Sequence, residues 1–285
     1  MRNLACLEDS PESIFLSIAS SKNNPCKDIL YLNEANPTNC VQNKVFKRYE
    51  EYKQNKLDLF KISNSSGFST QAEECLKGCY TSNTIAMDWL YHQLLNIQDK
   101  FIKDKCPYCG INSPTSRDHY LPKELFPEFS VMSFNLIPCC IDCNTLKGLK
   151  WKEDIAGHRT FLHYYFDEIP NEIFLNANIV FDSPTVPTVE ITLCPPNNSD
   201  FYKILNTHFS KLNIIARINS QVNTYVSEKH ETTLESLKQG LEEMDLKRLL
   251  SIETMNLERN HGLNYWKAVI NRGIIECQDF FEIRV

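Results

Sequence analysis

Four short runs between residues 106 and 147 decide how the chain is read: Cys106-Pro-Tyr-Cys109, Arg117-Asp118-His119-Tyr120-Leu121-Pro122-Lys123, Asn135-Leu136-Ile137-Pro138, and Cys140-Ile-Asp-Cys143-Asn144-Thr-Leu-Lys147. Each CxxC turn lets two sulfurs point at one ion. Two such knuckles make a closed tetrahedral S4 site suited to Zn²⁺. With four thiolates and no open position, that zinc holds shape and does no chemistry; its binding is worth on the order of 10 kcal/mol of folding free energy. Cys139 stands directly before Cys140, and the two-residue gap to Cys143 favours Cys140 as the ligand, leaving Cys139 spare.

The residues between and after the knuckles carry reactive groups. Asp118 is a hard anionic oxygen donor and Asn144 a neutral one, a pair suited to one Mg²⁺ or Mn²⁺ that keeps several waters. His119, with an ordinary pKa near 6.5, is largely neutral at pH 7 and able to take a proton from water. Asn135 can pin a loop by hydrogen bonds from its side chain to backbone. Neighbouring side chains leave a regular strand on opposite faces. Asp118 and His119 can therefore serve one site only where the strand is twisted or bulged, or where the ion sits at its edge, and Pro122 helps to end the strand just beyond.

The pattern CxxC…DHxxP…NLxxxCxxCNxxK resembles the HNH (His-Me finger, ββα-metal) endonucleases of the four-cysteine zinc type. It is met by Cys106, Cys109, Asp118, His119, Pro122, Asn135, Leu136, Cys140, Cys143, Asn144 and Lys147. The resemblance implies that Asp118-His119 lies on a first strand, Asn135 on or just before a second, and Asn144 on a helix. It implies His119 as general base, Asp118 and Asn144 as ligands of a catalytic Mg²⁺ or Mn²⁺, and Asn135 as a positioner. The implied reaction is hydrolysis of DNA phosphodiesters to 5′-phosphate and 3′-hydroxyl ends. Arg117, Lys123 and Lys147 are the nearby cations expected to contact substrate phosphates.

Outside this segment the chain is ordinary for a globular protein. It has 285 residues, 42% hydrophobic and 23% charged, with 8 Gly and 13 Pro, which excludes collagen-like and wholly disordered classes. No apolar run is long enough to cross a bilayer, so no membrane association is expected. The acidic residues Glu8 and Asp9 interrupt the stretch where a secretion signal needs its apolar core, and a cytoplasmic location is expected. The net charge is −6. Residues 100–152 carry eight Lys/Arg and five Asp/Glu, hence +3 against −9 elsewhere. Contact with nucleic acid is therefore expected to be confined to the finger, with weak, salt-dependent affinity.

The expected architecture is mainly α with a small zinc-bound ββα-metal (HNH) finger, α+β in class. A helical region is expected over 1–100, the finger over 101–155, and a second helical region with a small β-hairpin over 156–285. Helices are read from Ser10-Pro11 onward and over 41–62, 70–78, 82–103, 158–166, 200–218, 221–251 and 264–281. The hairpin is read over 178–181 and 188–193. Leu234, Leu237, Leu241 and Met244 form a 3-4-3 stripe that reads as core or hairpin seam, less often as a dimer contact. Cys75 and Cys79 read as packing residues, and Cys6, Cys26, Cys40, Cys194 and Cys277 as isolated. His158 and His163 read as partly buried, tautomer-locked histidines, less often as substrate contacts. The expected function is endonucleolytic cleavage of double-stranded DNA in defence against phage or other foreign DNA. An ATPase or sensor is the expected partner, and a homodimer would allow both strands to be cut. The alternative is a non-catalytic zinc module that binds nucleic acid or protein within a larger complex.

Overall fold

The computed structural model describes residues 2–31, 41–64, 67–82, 84–153, 157–183 and 186–283. The chain is mainly α, with two separate two-stranded antiparallel sheets. It divides into two compact units: Asn3–Tyr108 with Asn112–Glu168, and Met1–Arg2, Cys109–Ile111 with Ile169–Val285. Cys40, read above as isolated, lies outside the described residues.

The first unit opens with helices α1 (Pro11–Ser20), α2 (Cys26–Leu30), α3 (Val41–Gln54), α4 (Thr70–Tyr80), α5 (Ile85–Asn96) and α6 (Lys100–Lys103). Their starts follow local chemistry. Ser10 Oγ accepts from the Ser13 amide ahead of Pro11, Ser69 Oγ from Ala72, and Thr84 Oγ1 from Met87. The buried faces keep helical spacing: Ile14, Phe15 and Ile18 on α1, Val45, Tyr49 and Tyr52 on α3, and Met87, Leu90 and Leu94 on α5. The helix expected over 82–103 breaks after Asn96, because Asp99 caps a new start by accepting from the Phe101 amide. The helix expected to reach Ile62 ends at Gln54 and resumes as a 3₁₀ turn over Leu59–Lys61.

Two further expectations fail in this unit. Cys26 and Cys75 are not separate thiols but a disulfide joining α2 to α4; pairing between residues 49 apart leaves no trace in sequence spacing. Cys79 alone is the buried packing thiol. Residues 158–166 are not helical. Arg159 to Tyr165 are buried without a break, so they show no one-sided period, and the Asp167 carboxylate takes the His163 amide that a helix would use. The same carboxylate pairs with Arg159.

The finger follows as β1 (Ser116–His119), β2 (Leu136–Cys139) and α7 (Ile141–Lys147). Glu128, wholly buried in the connection between the strands, receives the Arg48 Nε of α3 at 2.7 Å, and the guanidinium also lies 5.5 Å over the Phe129 ring.

The second unit contains the expected hairpin, β3 (Leu175–Ser183) paired with β4 (Val186–Leu193) from Leu175↔Leu193 through Ile179↔Val189. Helices α8 (Ser199–Lys211), α9 (Ile214–Lys238), α10 (Glu243–His261) and α11 (Trp266–Glu276) complete it. α9 covers β4, while α11 packs on β3. A Cβ at Gly273 of α11 would stand 2.4 Å from the Ala177 carbonyl oxygen, so only glycine permits this approach. Asn264 Oδ1 accepts from the Phe174 and Leu175 amides and fixes the entry to β3. The two long helices expected here are each broken. Asn213, left-handed at φ 51°, separates α8 from α9, and Gly240, at φ 93°, separates α9 from α10. The 3-4-3 stripe thus crosses a turn and is no continuous face: Leu241 and Met244 are exposed.

Removal of Arg48 leaves a buried carboxylate without its counter-ion. Arg48→Met is expected to lower unfolding free energy in urea by about 3 kcal/mol, and Glu128→Gln added to it to recover part of that loss. Equal stability of Arg48→Met and the parent chain would contradict this account of the pair.

Candidate functional site

β1 and β2 pair antiparallel in the register Ser116↔Cys139, Arg117↔Pro138, Asp118↔Ile137 and His119↔Leu136, and the chain turns from β2 directly into α7. This turn is made by Cys140, the N-cap of α7, whose sulfur accepts from the Cys143 amide at 3.5 Å. The other knuckle is closed by the Cys106 amide donating to the Asn112 carbonyl at 2.7 Å, with Gly110 in the left-handed region at φ 67°. One donor atom from each of Cys106, Cys109, Cys140 and Cys143 lies within 4.8 Å of the others, and all four residues are buried. Tetrahedral zinc–thiolate geometry, with bonds of about 2.3 Å, places sulfurs about 3.8 Å apart, so this donor set fits zinc in size and softness. Cys139 is buried outside that cluster, and burial pushes its thiol pKa up.

A cavity of about 270 Å³ opens beside α7, and its walls include Tyr80, Asp118, His119, Asn144, Arg117 and Lys123. β1 ends at His119, and so the neighbours Asp118 and His119 both border it despite their strand alternation. Asp118 is buried: Oδ2 accepts from Tyr108 Oη at 2.7 Å, and Oδ1 lies 3.0 Å from Lys147 Nζ. Burial raises the Asp118 pKa, while the Lys147 ammonium and the Tyr108 hydroxyl pull it back down. His119 Nε2 is 2.9 Å from the Ser130 carbonyl oxygen. A carbonyl only accepts, so Nε2 carries the proton and Nδ1 keeps its lone pair. Burial lowers the pKa of this imidazole to about 4, which leaves it neutral at pH 7.

Asn144 donates from Nδ2 to Ser116 Oγ at 2.7 Å. That bond orients the amide and leaves Oδ1 as its acceptor. Asn135 is fully buried and does not reach the cavity wall. Its Nδ2 donates to the Leu121 and Phe129 carbonyls at 3.0 and 3.1 Å, and its Oδ1 accepts from the Leu121 amide at 2.8 Å. These bonds tie together both ends of the loop that holds Ser130.

The cations do not all lie where the sequence suggests. Arg117 and Lys123 border the cavity; Arg117 is stacked 4.0 Å from the Tyr91 ring centroid and Lys123 is paired with Glu124. Lys147, expected to contact substrate phosphate, is instead buried, and its ammonium donates to the His119 carbonyl at 2.9 Å besides pairing with Asp118. The acid inside the fold captures this lysine before solvent can.

Three contributors were not read from sequence. Tyr80 of α4 sets its ring edge-on to His119, with centroids 4.3 Å apart. Ser130 supplies the carbonyl that holds His119, and its Oγ donates to Leu76 of α4 at 2.6 Å. Tyr108, inside the first knuckle, holds Asp118. Only Tyr108 carried a signal, its place between two zinc-type cysteines.

Elemental analysis of the purified chain is expected to find one zinc per molecule. Cys106→Ser should lose it and Cys139→Ser should keep it; zinc loss from both would disprove the division of the thiols. Lys147→Met leaves Asp118 as a buried unpaired acid and is expected to cost about 3–5 kcal/mol in urea unfolding, with Asp118→Asn on that background recovering part of it.

A search against protein-family models finds no match, and no solved structure matches. Protein ea31 of Escherichia phage lambda is 31% identical to this chain over 199 residues, which span 62% of this chain and 64% of that protein. The chain therefore covers less than two thirds of that relative's length.

Proposed function

We propose that the chain is an HNH-type endonuclease that hydrolyses phosphodiester bonds of DNA with the help of Mg²⁺ or Mn²⁺. The observation that carries this reading is the convergence of Asp118, His119 and Asn144 on one cavity, on a β1–β2–α7 unit beside a buried four-cysteine cluster. A histidine, a carboxylate and a carboxamide on a strand–strand–helix scaffold are the parts that phosphodiester hydrolysis needs.

The donor chemistry fits a hard divalent cation. Asp118 Oδ1 and Oδ2 each have one protein partner and each oxygen has a second lone pair, while the Nδ2 contact leaves Asn144 its Oδ1. Asp118 and Asn144 would hold the ion, which would supply positive charge against the non-bridging and departing 3′ oxygens of the phosphate. The chain's own residues provide the rest. The Ser130 carbonyl keeps the His119 proton on Nε2, and Nδ1 takes a proton from the attacking water. Tyr80 packs against the ring and limits its rotation. Arg117 and Lys123 orient a phosphate at the cavity mouth. The cationic surface is small beside a net charge of −6, which suits delivery of DNA by a partner protein.

A second reading is favoured by two specific contacts: the Tyr108 hydroxyl and the Lys147 ammonium already engage both Asp118 oxygens, as in a purely structural finger. Under it the chain binds nucleic acid or protein and cuts nothing. Supercoiled plasmid separates the two. The nuclease reading expects nicking that requires added Mg²⁺ or Mn²⁺, with His119→Ala slowing it at least ~100-fold while zinc content stays unchanged. Plasmid binding without nicking, identical in the parent chain and His119→Ala, establishes the second reading instead.

A further inference from the structure

Four large apolar side chains of α10 are exposed. α10 turns one side toward α11, and its outward side carries Met244, Leu249, Ile252 and Met255, which are 77%, 58%, 44% and 54% exposed. Leu249, Ile252 and Met255 recur every three residues on one side of the helix, Met244 stands five residues before them, and the four span about 16 Å of helix. The charges on α10 sort in the same way. Four of them are paired within the unit: Glu243 with Lys247, Glu253 with Lys229, and Glu258 with Arg272. Asp245, Arg248 and Arg259 are exposed, and none of them forms an ion pair among the described residues.

Their placement about Ile252 is symmetric. Asp245 stands seven residues before it and Arg259 seven after; Leu249 and Met255 stand three before and three after; Arg248 and Asn256 stand four before and four after. We propose that the outward face of α10 docks on the same face of a second copy of this chain, antiparallel, with a two-fold axis passing through Ile252. In that arrangement Ile252 meets its counterpart and Leu249 meets Met255. Asp245 of each copy faces Arg259 of the other, and the Arg248 guanidinium faces the Asn256 carboxamide. A parallel arrangement would set Asp245 on Asp245, Arg248 on Arg248 and Arg259 on Arg259, which like-charge repulsion opposes. The face is self-complementary in one orientation alone, as an isologous contact requires. The dimer stands on the geometry of α10 and does not depend on the nuclease reading.

Sedimentation equilibrium of the full chain tests it. A mass of twice 33.1 kDa is expected, falling to a single chain on dilution. Ile252→Glu places two carboxylates on the axis and is expected to weaken dimerisation at least ~100-fold, with the thermal midpoint of the monomer serving as the folding control. Asp245→Arg and Arg259→Asp are each expected to weaken it about tenfold, and the two together to restore it, because the reversed pair is again complementary. A single-chain mass at all concentrations to about 100 µM overturns the proposal. So does a dimer that survives Ile252→Glu, or a double charge reversal that fails to restore what either single one removed.

Discussion

The finger depends on one buried ammonium. Lys147, at the last turn of α7, donates to the His119 carbonyl and pairs with the Asp118 carboxylate, so a single side chain binds the helix to the strand at two adjacent residues. A lysine charge is placed at such depth only where an acid receives it, since neither ion is tolerable alone away from water. The Tyr120 and Phe161 rings lie 5.9 and 5.8 Å from the ammonium, and exclude solvent around the pair. At the opposite end of α7 the sulfur cluster holds the turn from β2. The helix is thus held at its start by thiols and at its end by an ion pair, and β1 has little freedom to shift against it.

The remaining support comes from the helices that precede the finger in the same unit. The Leu76 carbonyl of α4 receives the Ser130 hydroxyl, the Ser130 carbonyl receives the His119 ring, and Tyr80, one turn beyond Leu76, packs on that ring. α4 is in turn tied to α2 by the Cys26–Cys75 disulfide. Asn135 closes the loop around Ser130 through three backbone contacts, and Arg48 of α3 neutralises Glu128 in the same loop. The orientation of the imidazole is therefore set by residues drawn from 48 to 135, far more than the short motif that contains it.

This distribution explains what could be read in advance. The two CxxC knuckles, the adjacent pair Asp118-His119, and Asn144 next to Cys143 are each short spacings in the chain, so each pattern survives in one dimension. Ser10-Pro11 marks the start of α1 for the same reason. Tyr80, Ser130 and the Cys26–Cys75 bridge are tertiary, and nothing in their neighbours announces them. The missed helix breaks at Asn213 and Gly240 each rest on a single left-handed residue, too weak a signal against flanking helical periodicity. Residues 158–166 failed differently. Their aromatic density suggested a helix, but continuous burial and the Asp167 side chain drew the backbone into turns. Lys147 was legible as a cation and not as a buried one, because burial depends on Asp118 standing opposite it.

Desolvation favours the neutral form of both neighbours, Asp118 and His119, and the surrounding charges oppose it at the first and reinforce it at the second. For the carboxyl group, loss of water favours the neutral acid, and the Lys147 ammonium with the Tyr108 hydroxyl opposes that by stabilising the anion. For the imidazole, loss of water also favours the neutral form, and the Lys123 and Lys147 charges act in the same direction. One internal cation therefore has two effects: it stabilises the anionic form of the Asp118 carboxyl and disfavours protonation of the imidazole beside it. The proposed roles call for an anion at Asp118 and a neutral imidazole at His119, and the buried Lys147 pushes each group in that direction.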